Sequence, residues 1–214
     1  MSAIYNYIVV EGPIGVGKTS LVELLSAHFG AQTIMEQAEE NPFLSGFYKE
    51  PSKYAFSAQI FFLTSRFRQL QDANQVDLFQ QMVVADYMLE KDRIFAQLNL
   101  DSHELRLYND LYGLLEEKLV RPDLVIFLSA ETETLIRRIN KRGRGYESGI
   151  AERYIEEVNQ AYHQWFFQYD RGPALQVNTN GIDFVKNEGD FRKLLDKISH
   201  PVKGREFFNP LGSI

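Results

Sequence analysis

The stretch Gly12-Pro13-Ile14-Gly15-Val16-Gly17-Lys18-Thr19, followed by Ser20, has the pattern G-x-x-x-x-G-K-[ST]. Each part of it has a physical use. Glycines let backbone N–H groups turn inward around phosphate oxygens. A helix opening at the end of the loop adds partial positive charge at the same place. Lys18 is placed to reach the β- and γ-phosphates of a nucleoside triphosphate, and the Thr19 hydroxyl to ligate Mg²⁺. Gly12, Gly15, Val16, Gly17, Lys18, Thr19 and Ser20 are therefore expected to hold ATP with Mg²⁺. The pattern needs a strand before it and a helix after it. Residues 4–10 are β-rich and residues 21–29 have helical spacing, so the context is right.

Two carboxylates directly follow short apolar runs. Glu36 comes after Thr33-Ile34-Met35, and Asp86 after Met82-Val83-Val84-Ala85. Ligands of a parallel sheet sit beyond the carboxyl ends of its strands. A carboxylate there can hold the metal or accept a proton from an attacking hydroxyl. A loop acid or a helix N-cap would look the same, and nearby Glu39 and Glu40 read as surface acids. Gln59 and Arg66 lie seven residues apart on a helical stretch, hence on one face about 10 Å apart. A glutamine amide offers a donor and an acceptor, which suits the edge of a nucleobase. Ser65, Arg68 and Gln69 are polar as well, so a solvated stripe gives the same pattern. Arg137, Arg138, Lys141, Arg142 and Arg144 place five cations in eight residues of a chain whose net charge is −6, and they run into Gly143 and Gly145. Arginines on a glycine hinge can close over a transferring phosphoryl group. An arginine-rich lid is expected over about 138–150.

The elements that must position these groups alternate along the chain. Apolar runs at 4–10, 32–35, 82–85, 124–128 and 174–177 read as strands, and 124–128 (LVIFL) is the clearest. Helical spacing marks 21–29, 54–70, 87–98, 104–120, 131–141, 151–169 and 190–199. Five strands separated by helices predict an α/β fold, a five-stranded parallel sheet flanked by helices. Residues 200–214 read as an irregular tail.

Composition narrows the partners. The net charge argues against a uniformly basic surface for nucleic acid. No cysteine is present, which excludes disulfides and thiolate metal sites and fits a reducing cytoplasm. No N-terminal apolar run is long enough for a signal peptide or a membrane span, so no membrane association is expected.

Four segments together resemble one family. They are IVVEGPIGVGKTS, the Glu36 segment continuing into Asn41-Pro42-Phe43, the run from Tyr48 through Gln59 to Ser65-Arg66-Phe67-Arg68, and RRINKRGRGYESGI at 137–150. Their types and spacing are similar to those of the deoxynucleoside kinases, over about residues 5–199. The resemblance implies a P-loop kinase fold, a homodimer, and transfer of the γ-phosphoryl group of ATP to the 5′-hydroxyl of a deoxynucleoside. It implies that Glu36 is the base, that Gln59 and Arg66 meet the nucleobase, and that Tyr48 and Glu147 hold the 3′-hydroxyl. It further implies that Arg138, Arg142 and Arg144 serve the phosphates, and that Asp183 and Phe184 lie near the adenine.

One segment departs from the family. Many members carry an acid followed by Arg-Ser after the third strand, where this chain has Asp86-Tyr87-Met88. Asp86 would replace the acid and also bind the metal, and Arg93 could supply the missing cation, with Asp92 beside it. The variant resembles bacterial deoxyadenosine and deoxyguanosine kinases. Two other readings compete. A nucleoside monophosphate kinase of the thymidylate kinase kind shares a P-loop and lid but needs cations for the acceptor's own phosphate. A nucleotide-dependent switch would have no use for a nucleobase pocket built on Gln59.

Overall fold

The strand β1 (Tyr7–Glu11) is buried at all five positions, because helices cover both of its faces. The computed structural model describes residues 4–75, 82–147 and 150–210. The other strands are β2 (Gln32–Ile34), β3 (Val83–Ala85), β4 (Leu124–Ser129), β5 (Ala174–Asn178) and β6 (Arg205–Phe208). Their order across the sheet is β2-β3-β1-β4-β5-β6, and every pair is parallel. The order reverses at β1, whose carboxyl end is the crevice where such sheets take their ligands.

The side chains of β1 and β4 alternate between two cores, as a period of two requires. Tyr7, Val9, Val125 and Phe127 face one core with α2 (Leu44–Lys49), α3 (Pro51–Gln75), α4 (Glu90–Asn99), α5 (Ser102–Glu116) and α7 (Glu152–Gln168). Ile8, Val10, Ile126 and Leu128 face the other, with α1 (Lys18–Phe29), α6 (Thr132–Arg142) and α8 (Glu188–Ile198). The first core is aromatic. The Phe127 ring stacks on Phe166 at 5.1 Å and on Tyr162 at 6.1 Å.

Boundaries differ from the sequence expectation for local reasons. α3 starts at Pro51, where the fixed φ and missing N–H of proline suit a first helical position. α4 starts at Glu90 rather than at 87, because the Met88 N–H goes to the Glu11 side chain. α5 starts at Ser102, since Asp101 and Glu104 form a reciprocal capping box. The six-residue α2 carries too short a pattern to be seen by periodicity.

The expected five-stranded sheet is corrected to six, and the 200–214 segment is not irregular throughout. Arg205–Phe208 forms β6, an edge strand in register with β5. Its faces alternate between exposed and half-buried, and two of its four residues are charged, so no apolar run announces it. Backbone pairing, the Lys197–Glu206 ion pair at 2.5 Å, and Phe207 against Phe166 at 5.7 Å hold it in place. Residues 211–214 of that expectation lie outside the described residues. Among the described residues no helix is long and apolar enough to cross a membrane.

Phe127 is 0% exposed and joins the β4 face to α7. Phe127→Ala is expected to cost about 3–5 kcal/mol in denaturant unfolding, the range for a large aromatic removed from a packed core. A loss below about 1 kcal/mol would show that the stack does not carry this core.

Candidate active site

The loop between β1 and α1 takes its shape from glycines. Gly12, Gly15 and Gly17 have φ of 148°, 83° and 108°. A Cβ on Gly12 would stand 2.5 Å from the Leu128 carbonyl oxygen, so this position accepts only glycine. Lys18 Nζ donates to the Gly12 and Pro13 carbonyls at 2.7 and 3.1 Å. Burial and then the neighbouring Lys91 push the Lys18 ammonium down to about 8, against the pull of Glu11, Glu36 and Asp86. Val16 is buried, and its carbonyl accepts from Arg138 at 3.2 Å. Ser20 sits in the first turn of α1.

Glu36 and Asp86 come together at the carboxyl ends of β2 and β3, as neighbouring parallel strands dictate. Asp86 Oδ1 accepts the Glu36 backbone N–H at 2.7 Å, and Thr19 Oγ1 donates to Asp86 Oδ2 at 3.4 Å. Burial raises the Asp86 carboxyl above its ordinary range despite Lys91. Among the described residues no group of three or more His, Cys, Asp or Glu could hold a metal. One hydroxyl and one carboxylate, Thr19 and Asp86, are a donor set suited to Mg²⁺ that takes its remaining ligands from phosphates and water.

Glu36 is gripped by two cations. Arg66 Nε donates to Glu36 Oε1 at 3.0 Å, with Nη2 on the same oxygen, and Lys91 Nζ donates to Oε2 at 2.6 Å. Burial alone would raise this carboxyl, but the Arg66 and Lys91 charges outweigh it and hold it well below the usual carboxylate range. Arg66 also pairs with the fully buried Asp92, whose other oxygen accepts from Tyr108 at 2.8 Å. The Asp92 backbone carbonyl accepts from Gln59 Nε2 at 2.9 Å, which sets the orientation of that amide. Gln59 and Arg66 are each 4% exposed, so the polar face of α3 is a buried network and not a solvated stripe.

The cavity that joins these groups has a volume of about 310 Å³. Gly15, Lys18 and Thr19 line its phosphate end, with Glu36, Asp86 and Lys91 in the middle. Tyr48, Gln59, Arg66, Phe62 and Phe95 line the far end, and Arg142, Arg144 and Glu147 approach from the lid. Arg142 forms an ion pair with Glu147, and Glu147 Oε2 is buried with no hydrogen-bond partner among the described residues. Ser148 and Gly149, part of the expected lid, lie outside the described residues.

Four expected residues do not line this cavity. Arg138 is tied to the Val16 carbonyl and to Thr179, at 3.0 Å through its hydroxyl and 2.7 Å through its carbonyl, and does not line the cavity. Asp183 accepts the N–H groups of Val185 and Lys186 at 3.1 Å each, and Phe184 packs on the second core. Arg93 is corrected: it lies 5.2 Å over the Tyr112 ring and lines a separate groove with Gln97 and Trp165. After the third strand, the cation that the structure sets against Glu36 is Lys91. One turn of α4 begins there, so residues 91 and 93 point to different sides. A lysine in an acidic helix start carries no local signal for this role.

One further buried acid lies behind the cavity, at the start of the phosphate loop. Glu11, the last residue of β1, is 0% exposed, and burial lifts its carboxyl to about 6 although Lys91 and Lys18 pull it down.

Comparison with known proteins shows the family. The chain matches the family described as Deoxynucleoside kinase over residues 8–203. A deoxyguanosine kinase of Bacillus subtilis (strain 168) is 38% identical over 201 residues, 92% of this chain and 97% of that protein. A deoxyadenosine kinase of Lactobacillus acidophilus is 30% identical over 210 residues, 92% of this chain and 96% of that one. The solved deoxyadenosine kinase of M. mycoides with bound dATP is similar in fold, with a TM-score of 0.78 at 29% identity, covering 91% of this chain and 100% of that one. With the phosphate loop, Glu36, the α3 network and the lid segment all inside the matched span, this chain belongs to the deoxynucleoside kinase family and is a transferase.

Proposed function

We propose that the chain moves the γ-phosphoryl group of ATP to the 5′-hydroxyl of a purine deoxynucleoside, deoxyguanosine ahead of deoxyadenosine. The observation that carries this is the single cavity running from Lys18 and Thr19 past Glu36 to Gln59. A cavity lined in this order supports a hydroxyl acceptor between a phosphate cradle and a carboxylate, with its base toward α3. Deoxyguanosine is placed first because the relatives of that name are 38% and 35% identical, against 30% for the deoxyadenosine kinase.

Phosphoryl transfer passes through a loose transition state, so positioning and charge do most of the work. Lys18 and the loop N–H groups hold the phosphates in line. Thr19 and Asp86 would hold Mg²⁺, which would supply positive charge to offset that of the phosphates. Glu36 orients the 5′-hydroxyl and takes its proton as the new P–O bond forms. Its two cations make it a weak base but fix its direction. Glu147 Oε2, a buried acceptor in need of a donor, suits the 3′-hydroxyl, with Tyr48 beside it. Arg142 and Arg144 would meet the phosphoryl group from the lid. Gln59 keeps one N–H and its oxygen for the base, a match to adenine N6/N7 or to guanine N1–H and O6. Arg66 is already balanced by Glu36 and Asp92, which argues against an acceptor bearing its own phosphate. The family likeness brings a homodimer and a cytoplasmic location into the same proposal.

Lys18→Ala is expected to lower kcat by about 10³-fold or more, the scale of one transition-state electrostatic group. Steady-state kinetics with ATP and deoxyguanosine check it, and a near-normal kcat would remove the phosphate-loop role. Glu36→Gln should reduce kcat by about 10²–10⁴-fold, as loss of a general base does, with the KM for ATP little changed. An unaltered kcat would move the base role to Asp86. In the wild type, kcat/KM for both purine deoxynucleosides should exceed that for deoxycytidine and thymidine. Gln59→Ala should flatten this ranking, since a polar site discriminates by leaving its groups unpaired with the wrong base. Four unchanged ratios would show that α3 does not read the base.

A further inference from the structure

We propose that Glu11 is a positioning residue for the transfer: its carboxylate clamps the start of the phosphate loop to the turn that carries Lys91, and thereby sets Lys91 against Glu36. The proposal rests on the reading that Glu36 receives the proton of the acceptor hydroxyl.

The Glu11 carboxylate takes donors from its neighbour Gly12 and from two segments distant in sequence. Oε1 accepts the Met88 N–H at 2.8 Å. Oε2 accepts the Gly12 N–H at 3.2 Å and the Tyr162 hydroxyl at 3.2 Å. The first loop glycine, the turn after β3 and helix α7 are thus held by one side chain. The Met88 carbonyl in turn accepts the Lys91 N–H at 3.2 Å. The Met88 unit is therefore fixed by Glu11 through its N–H and fixes the Lys91 backbone through its carbonyl. Lys91 is 4% exposed, and its Nζ ends 2.6 Å from Glu36 Oε2. A continuous chain of short contacts leads from Glu11 to the base.

Charge makes the link more than a brace. Lys91 and Lys18 are the cations whose fields act most on Glu11. Buried Lys91 and Arg66 and half-buried Lys18 line the same cavity, and Lys91 repels Lys18. A buried anion behind them offsets that repulsion without occupying the cavity. A neutral amide could satisfy most of the same hydrogen bonds. It would accept from Met88 and donate to the Tyr162 oxygen, leaving only the Gly12 N–H without its partner. A burial cost as high as that of a carboxylate is therefore out of proportion to a mere brace.

The test uses the full chain with ATP and deoxyguanosine or deoxyadenosine. Glu11→Gln, nearly isosteric and uncharged, is expected to lower kcat by about 10²-fold with the deoxynucleoside KM within about twofold, as misplacement of a catalytic contact does. A double-mutant cycle with Lys91→Gln supplies the reading that a structural role would not move. In the Lys91→Gln background, Glu11→Gln should cost no more than about twofold further, because coupled residues are not additive. Tyr162→Phe keeps the carboxylate and removes one donor. It should lower kcat about threefold or more, again only when Lys91 is present, and it serves if Glu11→Gln does not fold. The proposal is overturned if Glu11→Gln keeps a wild-type kcat or if the effects of Glu11 and Lys91 multiply independently. It is also overturned if Tyr162→Phe is silent in kcat. A wild type inactive on all four deoxynucleosides sinks the functional reading itself; an active wild type with multiplying effects sinks this proposal alone.

Discussion

Glu36 lies between Arg66 and Lys91, and this buried contact constrains everything around it. A carboxylate taken out of water must be matched, or it neutralises itself by taking a proton. Two cations match it, one from the middle of α3 and one from the first turn of α4. Those cations are themselves buried and carry their own partners, Asp92 for Arg66 and, at longer range, Glu11 for Lys91. Removing any one member would leave an uncompensated charge, which is costly inside a protein. The network is therefore set as a unit. It also excludes alternatives: with Arg66 spent on two carboxylates, the far end of the cavity presents an amide and aromatic rings rather than a bare cation.

The sheet supplies the frame for that network. Strands β1, β2 and β3 run parallel and end at the same edge, so the phosphate loop, Glu36 and Asp86 arrive together although 50 residues separate the two acids. The long helix α3 crosses this edge and brings Gln59 and Arg66 to it two turns apart. Glycines do what other residues could not where the chain turns tightly, above all Gly12 against the Leu128 carbonyl. The aromatic core under the edge, with Phe127 between Tyr162 and Phe166, keeps α7 in place, and Tyr162 reaches from it to Glu11.

Arg138 differs from the other expected lid arginines in its partners. Its position in a run of cations suggests contact with phosphate. Its guanidinium ties the phosphate loop at Val16 to Thr179 just after β5, while Arg142 and Arg144 reach the cavity. A guanidinium has five donors, and buried carbonyls that lack partners compete for them as strongly as a ligand does.

Much of this was legible in the residues alone. The phosphate loop, the alternation of strand and helix, and the placement of Glu36 and Asp86 after apolar runs depend on local chemistry and on periods of two and 3.6, which a sequence displays. So does the spacing of Gln59 and Arg66 on one helix face. What the sequence could not show depends on contacts between distant segments. The strand Arg205–Phe208 has no apolar run, and only an open edge of β5 makes it a strand. Lys91 resembles any surface lysine until α4 is docked and its ammonium meets Glu36. Arg93, two residues on, turns to another face for the same reason. Glu11 reads as the end of a strand, and becomes a buried clamp only when Met88 and Tyr162 are folded against it. Local periodicity determined the elements and the loop; the pairing of buried charges, which needs long-range packing to exclude water, was decided by the tertiary structure.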